Sequence, residues 1–227
     1  MTNLPFTLFH KALFITAHPD DLEGFAGGLV KLLDAKTETY LVIFSEGDKG
    51  RWGEKYASMR KSAFERLRMS ETRKSGKLLG VDHIKTLHFD DRRISPTQAT
   101  IRKLRKEIVN ISPDVIFSFE FRKLLNYDPH PDHLAVGEIV KQAILSLKDQ
   151  QIDYYVFTSI MPNNYIDISK IRKVKIQAIK IHETQRLLNR IIFPVLEYAP
   201  TRILGIIKKS RFIEAYRKVT LKSPKTA

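Results

Sequence analysis

Short apolar runs alternate along this chain with longer stretches of helical spacing, and each run ends in a polar turn. Ala12-Leu-Phe-Ile-Thr-Ala17 is the first such run. Thr39 to Ser45, Ile84 to Phe89, Val115 to Phe119 and Tyr154 to Ser159 are the others. Continuous apolarity without alternation is what a strand buried on both faces shows, so these runs predict a parallel sheet. Between them the period changes. From Asp21 to Ala35 the residues Leu22, Phe25, Ala26, Leu29, Leu32 and Leu33 share one helical face, with an Asp pair at the N-terminus where carboxylates cap free amides. Ser58 to Leu79 reads as a long basic helix closed by Gly80. Thr97 to Ile111, His133 to Leu147, Lys173 to Asn189 and Thr201 to Val219 read as further helices. The alternation predicts an α/β, Rossmann-like three-layer fold with a mainly parallel central sheet. The expected division is one domain over residues 1–190 and a basic amphipathic C-terminal extension over 191–227.

Composition narrows the chemistry. The chain has 227 residues, enough for one α/β domain with a full core, and 43% of them are apolar. It has no cysteine, which excludes a thiol nucleophile, disulfides and thiolate zinc sites, so a bound metal must be held by His and carboxylate. The formal net charge of +14 is uneven: residues 151–227 carry 15 Lys and Arg against 5 Asp and Glu. Such an excess fits an anionic partner or a solvated basic surface. Leu8 to Ala17 resembles a weak leader, but Lys11 interrupts it and no basic segment precedes it, so it is read as a core strand. No apolar run is long enough to span a membrane.

The most specific signal is a repeated tripeptide. His18-Pro-Asp-Asp21 and His130-Pro-Asp-His133 both fall at strand-to-helix turns, on the sheet edge where open α/β folds place their sites. His18 and Asp21 are three apart across a helix start and can both turn toward one metal. His133 can supply a third protein ligand. Two His, one carboxylate and a water make an open catalytic zinc site, although such a set also accepts iron, manganese or cobalt. Asp20, between the two ligands, can face the water and take its proton. His130 can polarise a carbonyl or protonate a leaving amine, and Asp132 is expected to hydrogen-bond His130 and fix its tautomer. Glu23 reads either as support for a ligand or as an ordinary first-turn carboxylate. Gly27-Gly28 lies inside a helix and points to close packing rather than to a phosphate loop.

These residues resemble the PIG-L/LmbE-like zinc-dependent de-N-acetylases. Ala17-His-Pro-Asp-Asp-Leu-Glu-Gly-Phe-Ala-Gly-Gly28 is similar to the first signature of that family, and His130-Pro-Asp-His133 to its second. Arg68-x-x-Glu71, Leu79-Gly-Val81, Asp90 and His182-x-Thr184-Gln185 resemble its middle and late elements. Thr184 stands where Ser is usual, and Asp128 where some members carry an aromatic residue. The resemblance implies one zinc per chain on His18, Asp21 and His133, with Asp20 as general base. It implies His130 with Asp132 as acid or as stabiliser of the tetrahedral intermediate, and Arg68 and Asp90 on the sugar hydroxyls. The implied reaction removes acetyl from an N-acetylglucosamine conjugate, a glycolipid or small glycoside, to give acetate and a free amine. A deacylase of another N-acyl amine is the nearest alternative. A basic membrane- or nucleic-acid-binding module with a structural metal is the alternative of a different class. No aromatic-interleaved basic motif for nucleic acid is present. A cytoplasmic protein is expected, as a monomer or homo-oligomer. In the tail, Ile203, Ile206, Ile207 and Phe212 could share a helical stripe flanked by Arg202, Lys208, Lys209 and Arg211. That pattern suits a peripheral contact with an anionic membrane, or equally a domain-closing helix or dimer contact.

Overall fold

The apolar runs form strands. In the computed structural model, which describes residues 9–33, 37–51, 53–128, 130–147, 151–185, 206 and 209–221, they are β1 (Lys11–Thr16), β2 (Glu38–Ile43), β3 (His83–Thr86), β4 (Val115–Phe119) and β5 (Asp153–Phe157). Ala12 to Ile15 and Val115 to Phe117 are fully buried, as continuous apolarity requires. β1 pairs in parallel with β2 (Ala12 opposite Thr39) and with β4 (Ala12 opposite Val115). Two further strands, β6 (Asn164–Asp167) and β7 (Ile213–Val219), complete the order β3-β2-β1-β4-β5-β7-β6.

Among the described residues the helices are α1 (Asp21–Leu32), α2 (Glu54–Ala57), α3 (Lys61–Leu79), α4 (Gln98–Ile111), α5 (Pro131–Leu145) and α6 (Arg172–Ile181), with a 3₁₀ turn at Glu183–Gln185. α3 stops where expected, at Gly80 with φ 97°. α4 starts at Thr97 through a reciprocal capping box with Thr100. None of these helices is long and apolar enough to cross a membrane.

The expected helix from Thr201 to Val219 is corrected over its second half. Residues Ile213–Val219 are a strand lying antiparallel between β5 and β6. The charges there that read as a solvated face are buried and paired with distant partners. Arg217 donates to both oxygens of Glu120 at 2.7 and 2.8 Å. Glu214 takes Lys175 Nζ at 2.8 Å, and its carboxylate also accepts the amides of Gly28 and Leu29, both at 2.8 Å. Of the expected stripe, Ile203 and Ile207 lie outside the described residues, Ile206 is exposed, and Phe212 is buried in the core. Of the expected helix Lys173 to Asn189, residues 186–189 also lie outside the described ones.

The Gly27-Gly28 pair serves close packing. A Cβ on Gly28 would stand 2.5 Å from Ile168 Cγ2 and 2.8 Å from Glu214 Oε1. Gly28→Ala is therefore expected to cost roughly 1–3 kcal/mol, the usual range for overpacking. A thermal midpoint lowered by several degrees would register it; an unchanged midpoint would mean that Ile168 and Glu214 can move aside.

Candidate active site

β1 and β4 are the neighbours at which the strand order reverses, and the crevice beyond their carboxyl ends is where an open α/β sheet takes its ligand. Both His-Pro-Asp segments sit there. Asp21 pins the first turn, since its Oδ2 accepts the amides of Ala17 at 3.0 Å and His18 at 2.7 Å. Pro131 opens α5, where its missing amide hydrogen costs nothing, and His130 caps that helix.

The two turns bring three donor atoms together. His18 Nδ1 lies 3.3 Å from His133 Nε2 and 3.7 Å from Asp21 Oδ2. His133 Nε2 lies 3.2 Å from Asp21 Oδ1. Ligands about 2.0–2.1 Å from a tetrahedral zinc stand about 3.3 Å from one another, so these separations fit such an ion. The outward nitrogens fit too. His18 Nε2 is 3.2 Å from both Asp91 and Asp132, and His133 Nδ1 is 2.6 Å from Asp128. An imidazole that ligates metal almost always gives its other nitrogen to such a partner.

The electrostatics point the same way. Burial disfavours a charge on His18, but Asp132, Asp91 and Asp21 outweigh it and push its pKa up to about 9. Burial is likewise outweighed at His133, where Asp21 and Asp128 push the pKa up to about 10. Against the same penalty, His18 holds the Asp91 carboxyl down at about 2. Carboxylates that retain protons on two buried imidazoles would equally favour a divalent ion in their place. His130 behaves in the opposite way: burial, then His133 and His18, lower its pKa, so its ring is held neutral.

The expected link from Asp132 to His130 is corrected. His130 Nδ1 accepts the Asp132 backbone amide at 3.2 Å, while the Asp132 carboxylate faces His18 and takes the Arg92 amide at 2.8 Å. The His130 tautomer is thus fixed by the helix start, which leaves the ring hydrogen on Nε2. Its ring centroid is 4.8 Å from that of His18 and 4.6 Å from that of His133.

Asp20 lies beside the donor atoms, with Arg68 Nη2 2.5 Å from its Oδ1. Arg68 is buried and also donates to the Gly47 carbonyl at 2.7 Å. Gly47 has φ +70°, and a Cβ there would lie 1.9 Å from Arg68 Nη1, so only glycine admits the guanidinium. Arg68 therefore meets Asp20 rather than an open surface. The Asp90 carboxylate is 63% exposed and pairs with Lys61 at 3.3 Å. Its neighbour Asp91 is the one turned onto His18.

Asp91 and Asp128 are the residues that sequence reasoning missed. Choosing Asp91 over Asp90 requires the path of the loop after β3, where His88 and Arg92 both take positive φ and change the phase. Asp128 did carry a signal: a carboxylate five residues before a candidate ligand is the partner that ligand needs. Glu23 supports the site indirectly, buried against Ser75 and His182.

Comparison with known proteins agrees with this geometry. A family model described as PIG-L, GlcNAc-PI de-N-acetylase, matches residues 13–144. The chain is 30% identical over 206 residues to a diacetylchitobiose deacetylase of Thermococcus kodakarensis, covering 81% of this chain and 73% of that protein. Its structure resembles N,N'-diacetylchitobiose deacetylase from Pyrococcus horikoshii with a TM-score of 0.86 and 24% identity, over 100% of this chain and 91% of that one. It also resembles GalB, a 4-carboxy-2-hydroxymuconate hydratase of a Pseudomonas, with a TM-score of 0.77 and 17% identity, over 96% and 99% of the two chains. Likenesses at this identity show the fold, and the hydratase illustrates that the fold alone does not fix the reaction.

Proposed function

This chain belongs to the PIG-L family, described as GlcNAc-PI de-N-acetylases, and on that premise we propose that it is a metal-dependent hydrolase. It removes the acetyl group from an N-acetylglucosamine conjugate and releases acetate and a free amine. The observation that carries the reading is the convergence of His18 Nδ1, Asp21 and His133 Nε2 at 3.2 to 3.7 Å, with Asp20 beside them. The relatives named as deacetylases of diacetylchitobiose support the choice of an amino-sugar amide.

His18, Asp21 and His133 would hold one zinc ion, or another divalent metal. Bound there, such an ion polarises an amide carbonyl and lowers the pKa of water toward ~7. Asp20 takes the proton of the attacking water, and Arg68 holds its carboxylate in place. His130, neutral and with its hydrogen on Nε2, donates to the oxygen on which negative charge develops. Asp132 and Asp91 orient His18, and Asp128 orients His133. Asp90, open to solvent at the rim, is placed to meet sugar hydroxyls; Arg68 acts on the substrate through Asp20.

Acetate release from a panel of N-acetylglucosamine conjugates tests the reading. Activity is expected with at least one conjugate, lost on exhaustive chelation and restored by zinc or another divalent ion. An enzyme that stays fully active after its metal is stripped, or that deacetylates no member of the panel when metal-loaded, rejects the proposal.

A further inference from the structure

Behind Asp20 and Arg68 lies a second polar cluster, sealed from solvent. His182 and Glu23 are both 0% exposed. His182 Nε2 stands 3.2 Å from Glu23 Oε1 and 3.1 Å from Ser75 Oγ, and Ser75 donates to the same Glu23 oxygen. Glu23 Oε2 and His182 Nδ1 are buried with no hydrogen-bond partner. A fully buried imidazole and carboxylate with orphaned atoms is costly, and a leucine at 182 would avoid the cost. Such a group calls for an explanation beyond packing.

The connections supply one. α3 presents a buried polar stripe at helical spacing: Arg68, Glu71 with Thr72, and Ser75. Each member ties α3 to something that frames the base. Arg68 binds Asp20. Thr72 donates to the carbonyl of Pro19, the residue before Asp20, at 3.1 Å. Ser75 donates to Glu23, one turn along α1. Glu71 accepts from both the amide and the hydroxyl of Thr184, at 3.0 and 2.5 Å. Gln185, next along the same turn, donates to the Gly50 carbonyl at 2.7 Å, in the loop whose Gly47 carbonyl holds Arg68. The segment from His182 to Gln185 therefore fastens α1, α3 and the loop after β2 to one another. Those are the three elements whose relative placement fixes the Arg68–Asp20 pair.

We propose that His182 is a positioning residue: through Glu23 and Ser75 it sets the register of α3 against the start of α1, and so holds Arg68 on Asp20. His182 touches neither substrate nor the candidate metal ligands. This inference rests on the reading of Asp20 as the base for its kinetic consequence, and on geometry alone for its structural one.

The test compares His182→Leu, which keeps bulk and removes the polar link, with His182→Gln, whose side-chain amide can still reach Glu23 or Ser75. Metal content is expected to equal wild type in both. His182→Leu should lose about ten- to a hundredfold in kcat with KM little changed, the scale of a misplacement near 1 Å. His182→Gln should recover most of that loss. Ser75→Ala, a small change in the same cluster, should show a fraction of the same kcat effect and serves if the leucine variant does not fold. Crystal structures of wild type and His182→Leu give a readout independent of activity: the Arg68–Asp20 contact should lengthen or break in the variant. Unchanged kcat in both His182→Leu and Ser75→Ala, a loss confined to KM, or an intact Arg68–Asp20 contact overturns the proposal. A wild-type enzyme without deacetylase activity would refute the proposed function instead, and leave the crystallographic comparison to decide this one.

Discussion

Asp20→Asn is expected to cut deacetylation at least ~100-fold while leaving the bound metal in place. The substitution keeps size, and the amide oxygen can still accept the Arg68 hydrogen that reaches Asp20 Oδ1. What it loses is basicity, since an amide cannot take a proton from water at neutral pH, and general-base loss costs about 10²–10⁴-fold. Asp21, one residue on, keeps both its amide contacts, so the donor atoms should not move. A buried guanidinium left without its counter-charge should also lower the thermal midpoint. Acetate release and metal content measured on the same preparation separate these effects. A metal-replete Asp20→Asn enzyme with near-normal kcat would reject Asp20 as the base.

The sheet was legible because its strands are buried on both faces. Leu13, Phe14 and Ile15, or Ile116 and Phe117, leave no other reading. The His-Pro-Asp turns were legible because a strand end, an Asp pair and a helix start are all local signals. What failed was non-local. Glu214 and Arg217 look like surface charges until Lys175 and Glu120 are known to face them, so β7 was read as helix. The carboxylate of Asp132 reached past its neighbour His130 to a ring 114 residues away. The same holds for His182: its partners Glu23 and Ser75 come from helices more than 100 residues earlier, and no spacing within 182–185 names them.

His133→Ala should lose the metal, and it separates the donor sets that the geometry allows. His18 has two nitrogens facing two groups of acceptors. On the Nδ1 side stand Asp21 and His133; on the Nε2 side stand Asp91 and Asp132. His18, His130 and His133 also lie close enough to share an ion. An ion on the Nδ1 side, with Asp21 and His133, leaves each ligating ring a carboxylate on its other nitrogen: Asp91 and Asp132 for His18, Asp128 for His133. An ion on the Nε2 side would break the contacts of Asp91 and Asp132 with His18 and leave His133 paired without a function. The Nδ1 set therefore predicts a graded series. His133→Ala removes a ligand and strands Asp128, so metal affinity should fall by more than ~100-fold. Asp128→Asn weakens only the support of that ligand and should cost about 10–100-fold. His130→Ala should retain stoichiometric metal, because its ring donates from Nε2 to the reacting oxygen and not to the ion. Competition with a chromogenic chelator measures all three. Stoichiometric metal in His133→Ala would reject His133 as a ligand. Loss of metal in His130→Ala would shift the assignment to the three-histidine set and remove His130 from the chemistry proposed for it.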